Sequence, residues 1–288
     1  MKAATPLLPE IVEWMQERRA HIRMRYLSLG AGVQSSTLAL MSAVGEAVRP
    51  DFAVFADTGA EPRSVYAWLD WLETQLPYPV HRVRSSRAET LTAYELKLQR
   101  SRKSGRLYRN GSIPAFSATG MLQRRCTASF KIDPIVAFAR RHAKPPRQAT
   151  VPLVEQHLGI TIDEAHRMKA SHQAWIENVY PLVEKGLTRA DCLAWMRVRG
   201  YPQPPRSACV YCPYHSDAEW IRLRDEEPEE FAKAVAFEEQ LQAAAARSDV
   251  EQGTPFLHRT MIPLREVSFR ADAVRDGFGN ECEGMCGI

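Results

Sequence analysis

Three of the six cysteines have the residue type and spacing of a metal-binding or redox site. Cys209 and Cys212 form a C-x-x-C pair in a proline-flanked segment, and Cys126 lies far upstream in the chain. Zinc sites, iron–sulfur clusters and redox disulfides all use this spacing. Two structural thiols on a proline-rich loop are the non-functional alternative. The sequence predicts no secretory signal and no membrane-spanning run, so we expect a cytoplasmic protein with metal-binding or catalytic cysteines.

A strand, a loop and a helix near the start of the chain form the second candidate site. The apolar run from Met24 to Leu29 predicts a buried strand, and a helix is predicted over 35–45. The small residues between them let the backbone approach a ligand, and the helix start offers unpaired N–H groups to a phosphate. An ordinary strand-to-helix turn is the alternative. The predicted nucleotide contacts are Ser28, Gly30, Ala31, Gly32, Val33, Gln34, Ser35 and Ser36.

A second apolar strand, 52–56, ends in a polar segment that suits the same ligand. It is followed directly by Asp57, Thr58 and Gly59. In open α/β sheets ligands bind outside the carboxyl ends of the strands, so the two segments are expected to share one site. All three residues are therefore predicted nucleotide contacts, and Asp57 is also predicted to be catalytic.

These two segments together resemble the pyrophosphate-loop superfamily of N-type ATP pyrophosphatases, and within it the sulfonucleotide (APS/PAPS) reductase branch. The family loop reads S-G-G-x-D-S. The aligned residues here run from Gly30 to Ser35, with Gly30 in place of the first Ser and Gln34 in place of the Asp. The D-T-G after the second strand is intact. The resemblance implies that ATP or adenosine phosphosulfate binds here, and Mg²⁺ is a further candidate cofactor.

The cysteine pattern is similar to that of the iron–sulfur members of the same branch. There a tandem Cys-Cys, with a basic residue and a Pro downstream, precedes a distant C-x-x-C. Cys126 aligns with the first of the tandem, Thr127 stands at the second, and Lys131 and Pro134 follow in register. The resemblance implies a [4Fe-4S] cluster, and a structural zinc ion is the alternative. Lys131 is predicted to be catalytic, because a nearby cation lowers the pKa of a nucleophilic cysteine. The implied ligands are Cys126, Cys209 and Cys212.

The end of the chain resembles the C-terminal E-C-G-[IL]-H of the reductases, with Cys286-Gly287-Ile288 in place. Two cysteines, Cys282 and Cys286, therefore compete for two roles. A metal ligand needs a fixed position, whereas a nucleophile that carries sulfur benefits from a mobile terminus. We predict that Cys282 is the fourth ligand and that Cys286 is the nucleophile.

Alternating strands and helices predict an α/β fold: a parallel twisted sheet with helices on both faces, followed by a small, mainly helical C-terminal region that carries cysteines. The predicted division is an N-terminal helix in 1–23, a nucleotide-binding domain in 24–186 and the helical region in 187–288. Cys192 is predicted to be a core thiol on a helix that begins at Thr188 and ends at Gly200. Further strands are predicted at 80–84 and 153–160, and further helices at 7–20, 62–75, 134–143, from Asp163, at 216–225 and at 228–246.

The segment 96–132, called here the basic window, holds nine basic residues and no acidic one in a chain of net charge +4. Its glycines and proline predict a mobile loop in the first half. It is interpreted as an electrostatic funnel for a nucleic acid or a phosphosulfate, and a solvated loop is the alternative. The basic residues are Lys97, Arg100, Arg102, Lys103, Arg106, Arg109, Arg124, Arg125 and Lys131.

Three functions fit these features. The first is a cluster-dependent sulfurtransferase that uses ATP to activate an oxygen on a nucleic acid or a small acceptor, which a sulfur then displaces. The second is a sulfonucleotide reductase, in which a C-terminal cysteine attacks adenosine phosphosulfate and thioredoxin releases the product. The third is a non-catalytic nucleic-acid-binding protein with structural zinc, although the sequence holds none of the usual nucleic-acid-binding motifs.

Overall fold

The structure is a computed structural model that describes residues 20–251 and 253–270. The predicted N-terminal helix over 7–20 lies outside the described residues, apart from residue 20 in a turn. The tail cysteines, Cys282 and Cys286, also lie outside them. In the described part of the chain, every helix is too short or too polar to cross a lipid bilayer.

Strands and helices alternate over residues 24–83, as the sequence predicts, and four short strands follow one another over residues 98–121. The strands are β1 (Met24–Ser28), β2 (Phe52–Ala56), β3 (Val80–Val83), β4 (Leu98–Arg100), β5 (Leu107–Arg109), β6 (Phe116–Ser117), β7 (Gly120–Met121), β8 (Val154–Leu158) and β9 (Ile176–Val179). The α-helices are α1 (Val33–Ala43), α2 (Arg63–Gln75), α3 (Leu91–Leu96), α4 (Asp133–Ala143), α5 (Pro181–Glu184), α6 (Arg189–Val198), α7 (Asp217–Glu226) and α8 (Pro228–Ala246).

The core of the fold is a five-stranded sheet in the order β3-β2-β1-β8-β9, with every neighbouring pair parallel. Tyr26 in the central strand is in register with Phe52 on one side and Gln156 on the other. Consecutive strands run outward from β1 to β3, and the chain then returns to place β8 on the other side of β1. This reversal leaves a crevice at the carboxyl ends of β1 and β8, where open sheets bind ligands.

Alternating side chains of the sheet bury both of its faces. Leu27 packs with apolar residues of α1, α2 and α6, and Tyr26 packs on the opposite face with Ile135 and Ala139 of α4. A sheet covered by helices on both faces is the predicted fold class, and the structure confirms it. Cys192 is fully buried in the first of these layers, as predicted for a core thiol.

A second apolar cluster joins the chain after α6 to the segment that precedes α4. Trp220 of α7 and Phe237 of α8 pack there with Phe130, which belongs to a single π-helical turn, Ala128–Ile132. The cysteine-bearing loop thus packs against the end of the basic window. The predicted boundary between residues 186 and 187 stays a prediction.

Some elements differ from the sequence prediction. Helix α1 begins at Val33 with Gly32 as its N-cap, rather than at Ser35. An α-helix was expected to start at Asp163, but residues Ile162–Arg167 form a 3-10 turn instead. The basic window forms two antiparallel hairpins, β4–β5 and β6–β7, where a mobile loop was expected in its first half. Strand β9 was not predicted, since it is short and half polar.

Gly159, directly after β8, fixes how closely the sheet approaches α1. A Cβ atom at this position would lie 2.7 Å from both the Cα and the N of Ser35, which are backbone atoms at the start of the helix. We expect Gly159→Ala to lower the free energy of unfolding by about 1–3 kcal/mol, because neither backbone can yield without a shift. The measurement is chemical denaturation monitored by circular dichroism.

Gly45→Ala is the control, since Gly45 has φ +82° and no atom within 4 Å of an added Cβ. This variant measures how far the free energy of unfolding falls when an alanine adopts a left-handed backbone conformation without a steric clash. A loss for Gly159→Ala no larger than that of the control would contradict the close packing of the sheet on α1.

Candidate functional site

The loop between β1 and α1 is held in a fixed shape by two serines. The Ser35 hydroxyl accepts a hydrogen bond from the Gly30 N–H at 3.2 Å, and the Ser207 hydroxyl donates to the Gly30 carbonyl. The left-handed residue of the turn is Ala31 (φ 59°), rather than Gly30 or Gly32. A non-glycine residue in this conformation costs on the order of 1 kcal/mol, and such strain is concentrated at functional sites.

The predicted nucleotide contacts in this loop do not all face a ligand. Gln34, at the position of the family's Asp, is fully buried, and its amide donates to Glu164 at 3.1 Å. The Ser36 hydroxyl accepts from the Trp68 indole at 2.9 Å, and Val33 packs in the apolar core. These three side chains therefore support the loop from the interior, and all of residues 30–36 are buried.

A cavity of about 330 Å³ occupies the crevice between the sheet and the start of α4. Its walls combine apolar residues with the polar side chains of Ser28, Gln156 and Asn178 from three adjacent strands. The Oδ1 atom of Asn178 is buried and has no hydrogen-bond partner among the described residues. A mostly apolar cavity of this size with a few convergent polar groups is typical of a small-molecule site.

Asp57 is held by donors from three sides. Its Oδ1 accepts from the Gly59 N–H at 2.9 Å and from the Tyr66 hydroxyl at 2.8 Å, and its Oδ2 accepts from Arg84 Nη2 at 2.7 Å. Burial raises the pKa of this carboxyl, but the three hydrogen bonds outweigh that effect and hold the pKa below its usual value. Asp57 is therefore an anchored carboxylate, and Tyr66 and Arg84 are residues that sequence reasoning missed.

The three predicted metal ligands of the described chain line one cavity. Cys126, Cys209 and Cys212 meet there, together with Thr58, Thr127 and Lys131. The loop after β2, the π-helical turn and the C-x-x-C loop are distant in sequence, and the fold brings them to this point. The role of Cys126, Cys209 and Cys212 as metal ligands stays a prediction.

Glu61 connects the cysteines to the sheet. Its Oε1 lies 3.4 Å from Lys131 Nζ and accepts from the Cys209 thiol at 3.7 Å. Burial raises the pKa of Cys209 well above its ordinary value, and the Glu61 carboxylate adds to that shift, against the opposing charge of Lys131. In the described chain Cys209 is therefore a protonated thiol that donates to Glu61, and a bound metal would have to displace that proton.

The three cysteines are chemically suitable metal ligands, because iron–sulfur clusters and zinc prefer thiolates. Among residues 20–251 and 253–270, however, no three His, Cys, Asp or Glu side chains are grouped closely enough to hold a metal ion. The fourth predicted ligand, Cys282, and the predicted nucleophile, Cys286, lie outside those residues. That these cysteines hold a metal, and which metal it is, stays a prediction.

Lys131 joins the two cavities. It lines both the crevice cavity and the cysteine cavity, and it is buried. The π-helical turn that carries it inserts one extra residue into the helical ladder, a distortion that occurs frequently at functional sites. The predicted catalytic cation thus lies between the predicted nucleotide site and the predicted metal ligands.

No protein-family model matches the chain, and no curated protein matches it. Among solved structures, the chain is similar to a phosphoadenylyl-sulfate (PAPS) reductase from Candida auris in complex with phosphate. The identity is 12%, the match covers 70% of this chain and 92% of that one, and the TM-score is 0.43. The likeness is one of chain arrangement, so the chemistry is derived below from the site itself.

The anchoring of Asp57 predicts a pH-dependent contribution of Arg84 to stability. Because the folded-state pKa of Asp57 lies below its unfolded value of about 3.9, the carboxylate stabilises the fold above that pH. This contribution is lost as the pH falls through the folded-state pKa. Arg84→Ala should therefore lower the free energy of unfolding at pH 7 and have a smaller effect at about pH 3. Urea denaturation at both pH values measures this difference.

Arg87→Ala is the matched control, because Arg87 pairs with Asp133 and both side chains are at least half exposed. Exposed pairs contribute little to stability. An Arg84→Ala effect that is equal at the two pH values would show that Arg84 does not act through the Asp57 carboxylate.

Proposed function

We propose that this chain is an adenine-nucleotide-dependent enzyme of sulfur transfer, with the nucleotide in the crevice and the sulfur chemistry at the cysteine cavity. The observation that carries the proposal is the position of Lys131, which lines both cavities and pairs with Glu61 beside Cys209. A buried cation between a nucleotide site and thiols is suited to stabilise negative charge that passes from one to the other.

The crevice supports the nucleotide half of the proposal. The backbone N–H groups at the start of α1 suit phosphates, and the polar and apolar walls of the crevice cavity suit a base and its ribose. Ser28 and Asn178 are the polar side chains that we assign to the nucleoside. Asp57 shapes the loop after β2 through its hydrogen bonds with Gly59 and Arg84.

In the proposed reaction, a carbonyl oxygen of the acceptor attacks the α-phosphorus of ATP and pyrophosphate leaves. A sulfur nucleophile then attacks the activated carbon, and it is either sulfide or a persulfide that Cys286 receives by exchange with a persulfide donor. In the persulfide case a thiol reductant afterwards cleaves the sulfur–sulfur bond and leaves the outer sulfur on the carbon. The carbon–oxygen bond breaks and AMP leaves with that oxygen. Lys131 would stabilise the negative charge on the departing phosphate. A [4Fe-4S] cluster held by Cys126, Cys209 and Cys212 alone would have one iron open to bind sulfide. With Cys282 as the fourth ligand that position would be closed, and Cys286 would carry the sulfur.

Sulfonucleotide reduction is the alternative reaction at the same cavities. A Cys286 thiolate would attack the sulfur of adenosine phosphosulfate, the sulfur–oxygen bond would break, and AMP would leave. Thioredoxin would then reduce the S-sulfocysteine and release sulfite. The observation that favours this reaction is a second cation, Arg124, which lines the cysteine cavity with Lys131 and would face a sulfonate.

The structure divides the basic window into a buried and an exposed part. Arg109 is buried in an ion network with Glu95 and Glu251, and this network fixes the base of the β4–β5 hairpin. The exposed cations are concentrated at the hairpin tip. We propose that this tip contacts the phosphate backbone of a nucleic-acid acceptor. The exposed tip residues are Arg100, Arg102, Lys103 and Arg106.

The experiment for the reaction uses full-length protein purified without oxygen, with iron and sulfide measured first. It is incubated with ATP, with adenosine phosphosulfate, or with each plus a nucleic-acid acceptor and a sulfide donor. Pyrophosphate and AMP indicate sulfur transfer, and sulfite indicates reduction. Lys131→Met should lower either turnover by about 100-fold, as expected when one charge-stabilising donor is removed.

Lys185→Met, at an exposed lysine outside both cavities, should retain full turnover. Gly32→Asp, which places a negative charge at the loop, should abolish nucleotide binding while the protein stays folded. Full turnover in folded Lys131→Met, or a colourless preparation with stoichiometric zinc and no activity, would contradict the proposed enzyme.

The experiment for the hairpin measures binding of a 20-nucleotide single-stranded RNA at several salt concentrations. Replacing the four tip cations by Gln should weaken binding and reduce the slope of log K against log salt by about 0.7 for each phosphate that the tip no longer neutralises. The control replaces four exposed cations outside the window, Lys185, Arg199, Arg224 and Arg265. Equal slopes in the two variants would remove the hairpin tip from nucleic-acid binding.

A further inference from the structure

A third cavity, of about 620 Å³, lies between the loop after β3 and helix α4, and we call it the arginine groove. Asp133 at the start of α4 lines both this groove and the crevice cavity, so the two are neighbours. Among the described residues, Asp133 is the one carboxylate in the lining of the groove, which also contains Arg82, Arg84, Arg87 and Arg141. The side chain of Arg82 is held by Asp70 and Glu73 of α2. The other three arginines outnumber the carboxylate in the lining, which favours an anionic ligand.

These three guanidinium groups keep accessible N–H donors. The side chains of Arg84 and Arg87 are 53% and 50% exposed, and Arg141 is exposed as well. Arg84 uses only Nε and Nη2 on its carboxylate partner, and Arg87 uses only Nη2 on its own. Within the described chain Arg141 contacts the ring of Phe138 and no carboxylate. A guanidinium has five N–H groups, so each of the three can still donate to a ligand.

The positive charge continues along α4 beyond the groove. Residues 134–154 contain four Lys and Arg residues and no Asp or Glu. Lys144, the C-cap of α4, follows Arg141 by three positions, so the two lie about one helical turn apart. Both side chains are exposed. A single phosphate would meet only part of this charge, whereas a chain of phosphates would neutralise it along its length.

An aromatic stack adjoins the groove on the same helix. Phe138 lines the groove, and the exposed His142 packs on it with ring centroids 4.2 Å apart and ring planes at 33°. The Nδ1 of His142 lies 2.9 Å from the carbonyl oxygen of Phe138, and this hydrogen bond fixes the orientation of the imidazole. Proteins bind single-stranded nucleic acids where cations follow the backbone and aromatic rings stack on unpaired bases. The groove and its adjoining stack combine both features.

We propose that the arginine groove binds a single-stranded nucleic acid, with its phosphates at Arg84, Arg87 and Arg141 and a base stacked on His142. Binding a chain of phosphates does not require two guanidinium groups to meet at one atom, because charge attraction at physiological salt extends over about 8 Å. The site deepens the proposed function and rests on it only for the nucleic-acid acceptor as the ligand. It lies on other elements than the β4–β5 hairpin.

The first arm of the test measures how salt weakens binding. The 20-nucleotide single-stranded RNA is titrated with full-length protein at several salt concentrations, at pH 8 and without ATP. The double variant Arg87→Gln with Arg141→Gln should bind more weakly. Its slope of log K against log salt should be reduced by about 1.4, that is, by about 0.7 for each phosphate that is no longer neutralised.

The matched control replaces Arg224 and Arg265 by Gln, two exposed arginines outside the groove. It removes the same charge and should keep the wild-type slope. Equal slopes in the two double variants would overturn the proposal. Where the groove variant does not fold, Arg141→Gln alone should reduce the slope by about 0.7, and an unchanged slope there would overturn the proposal equally.

The second arm tests the stacked base. His142→Ala should weaken binding of the single strand about fivefold or more at every salt concentration, because it removes a stacking face without removing a phosphate contact. The same RNA as a duplex should bind to His142→Ala as it binds to wild type, since its bases are already paired. His166→Ala, at an exposed histidine of the 3-10 turn, is the control and should bind as wild type does. No loss for the single strand, or an equal loss for the duplex, would overturn the proposal.

Two further measurements separate this site from the nucleotide site and from other partners. Gly32→Asp should bind the RNA as wild type does, because Gly32 does not line the groove. RNA binding that disappears in folded Gly32→Asp would place the strand in the crevice and overturn the proposal. RNA binding through the groove in a protein without turnover would contradict the proposed reaction alone.

The last measurement uses a 20-residue polyglutamate as a competitor that carries charge but no bases. It should displace the bound RNA far less effectively than unlabelled RNA does. Equal displacement would assign the groove to an acidic protein segment and overturn the proposal.

Discussion

The position of β1 between β2 and β8 is the constraint on which the site depends. Because β1 pairs in parallel with both neighbours, the loops that follow all three strands emerge at the same edge of the sheet. Gly159 then lets the end of β8 approach the first turn of α1 closely. The crevice is a consequence of this strand order and does not require an additional domain to form it.

Buried ion pairs fix the positions of the segments around that edge of the sheet. Glu61 and Lys131 join the loop after β2 to the π-helical turn, and Arg109 joins the basic hairpin to Glu95 and Glu251. Burying such charges is costly unless each has its partner, so removing one member leaves an uncompensated charge in the interior. The pairs therefore specify one arrangement of these segments, and that arrangement brings Lys131 beside the cysteines.

The elements that follow from local pattern could be predicted, and those that depend on distant partners could not. The apolar runs of β1 and β2 and the capping Thr188 of α6 are visible in a short stretch of sequence. The burial of Arg109 depends on Glu251, which is 142 residues away, and so the basic window was interpreted as a loop. Strand β9 places the half-buried Asn178 in the wall of the crevice, and its two central polar residues interrupt the apolar pattern that identifies a strand.

The candidate site shows the same division. Residue type and spacing indicated Cys126, Cys209 and Cys212, and the fold places them around one cavity. The residues that hold Asp57 and Cys209 were missed, because the roles of Tyr66, Arg84 and Glu61 follow only from contacts with residues that the fold brings near them. Gln34 was expected to contact phosphate because it aligns with the Asp of the family loop. Instead, its side chain donates a hydrogen bond to Glu164, on the turn after β8, and points into the protein.

The hydrogen bond from Ser207 to the Gly30 carbonyl has a thermodynamic consequence. Ser207 lies two residues before Cys209, so the β1–α1 loop and the C-x-x-C loop are joined by one short path of covalent bonds and a hydrogen bond. If the proposed nucleotide binds at the β1–α1 loop and favours one position of Cys209, then a ligand that binds Cys209 in that position must raise the affinity for the nucleotide by the same factor. Under the proposed function, this hydrogen bond would therefore link two binding equilibria.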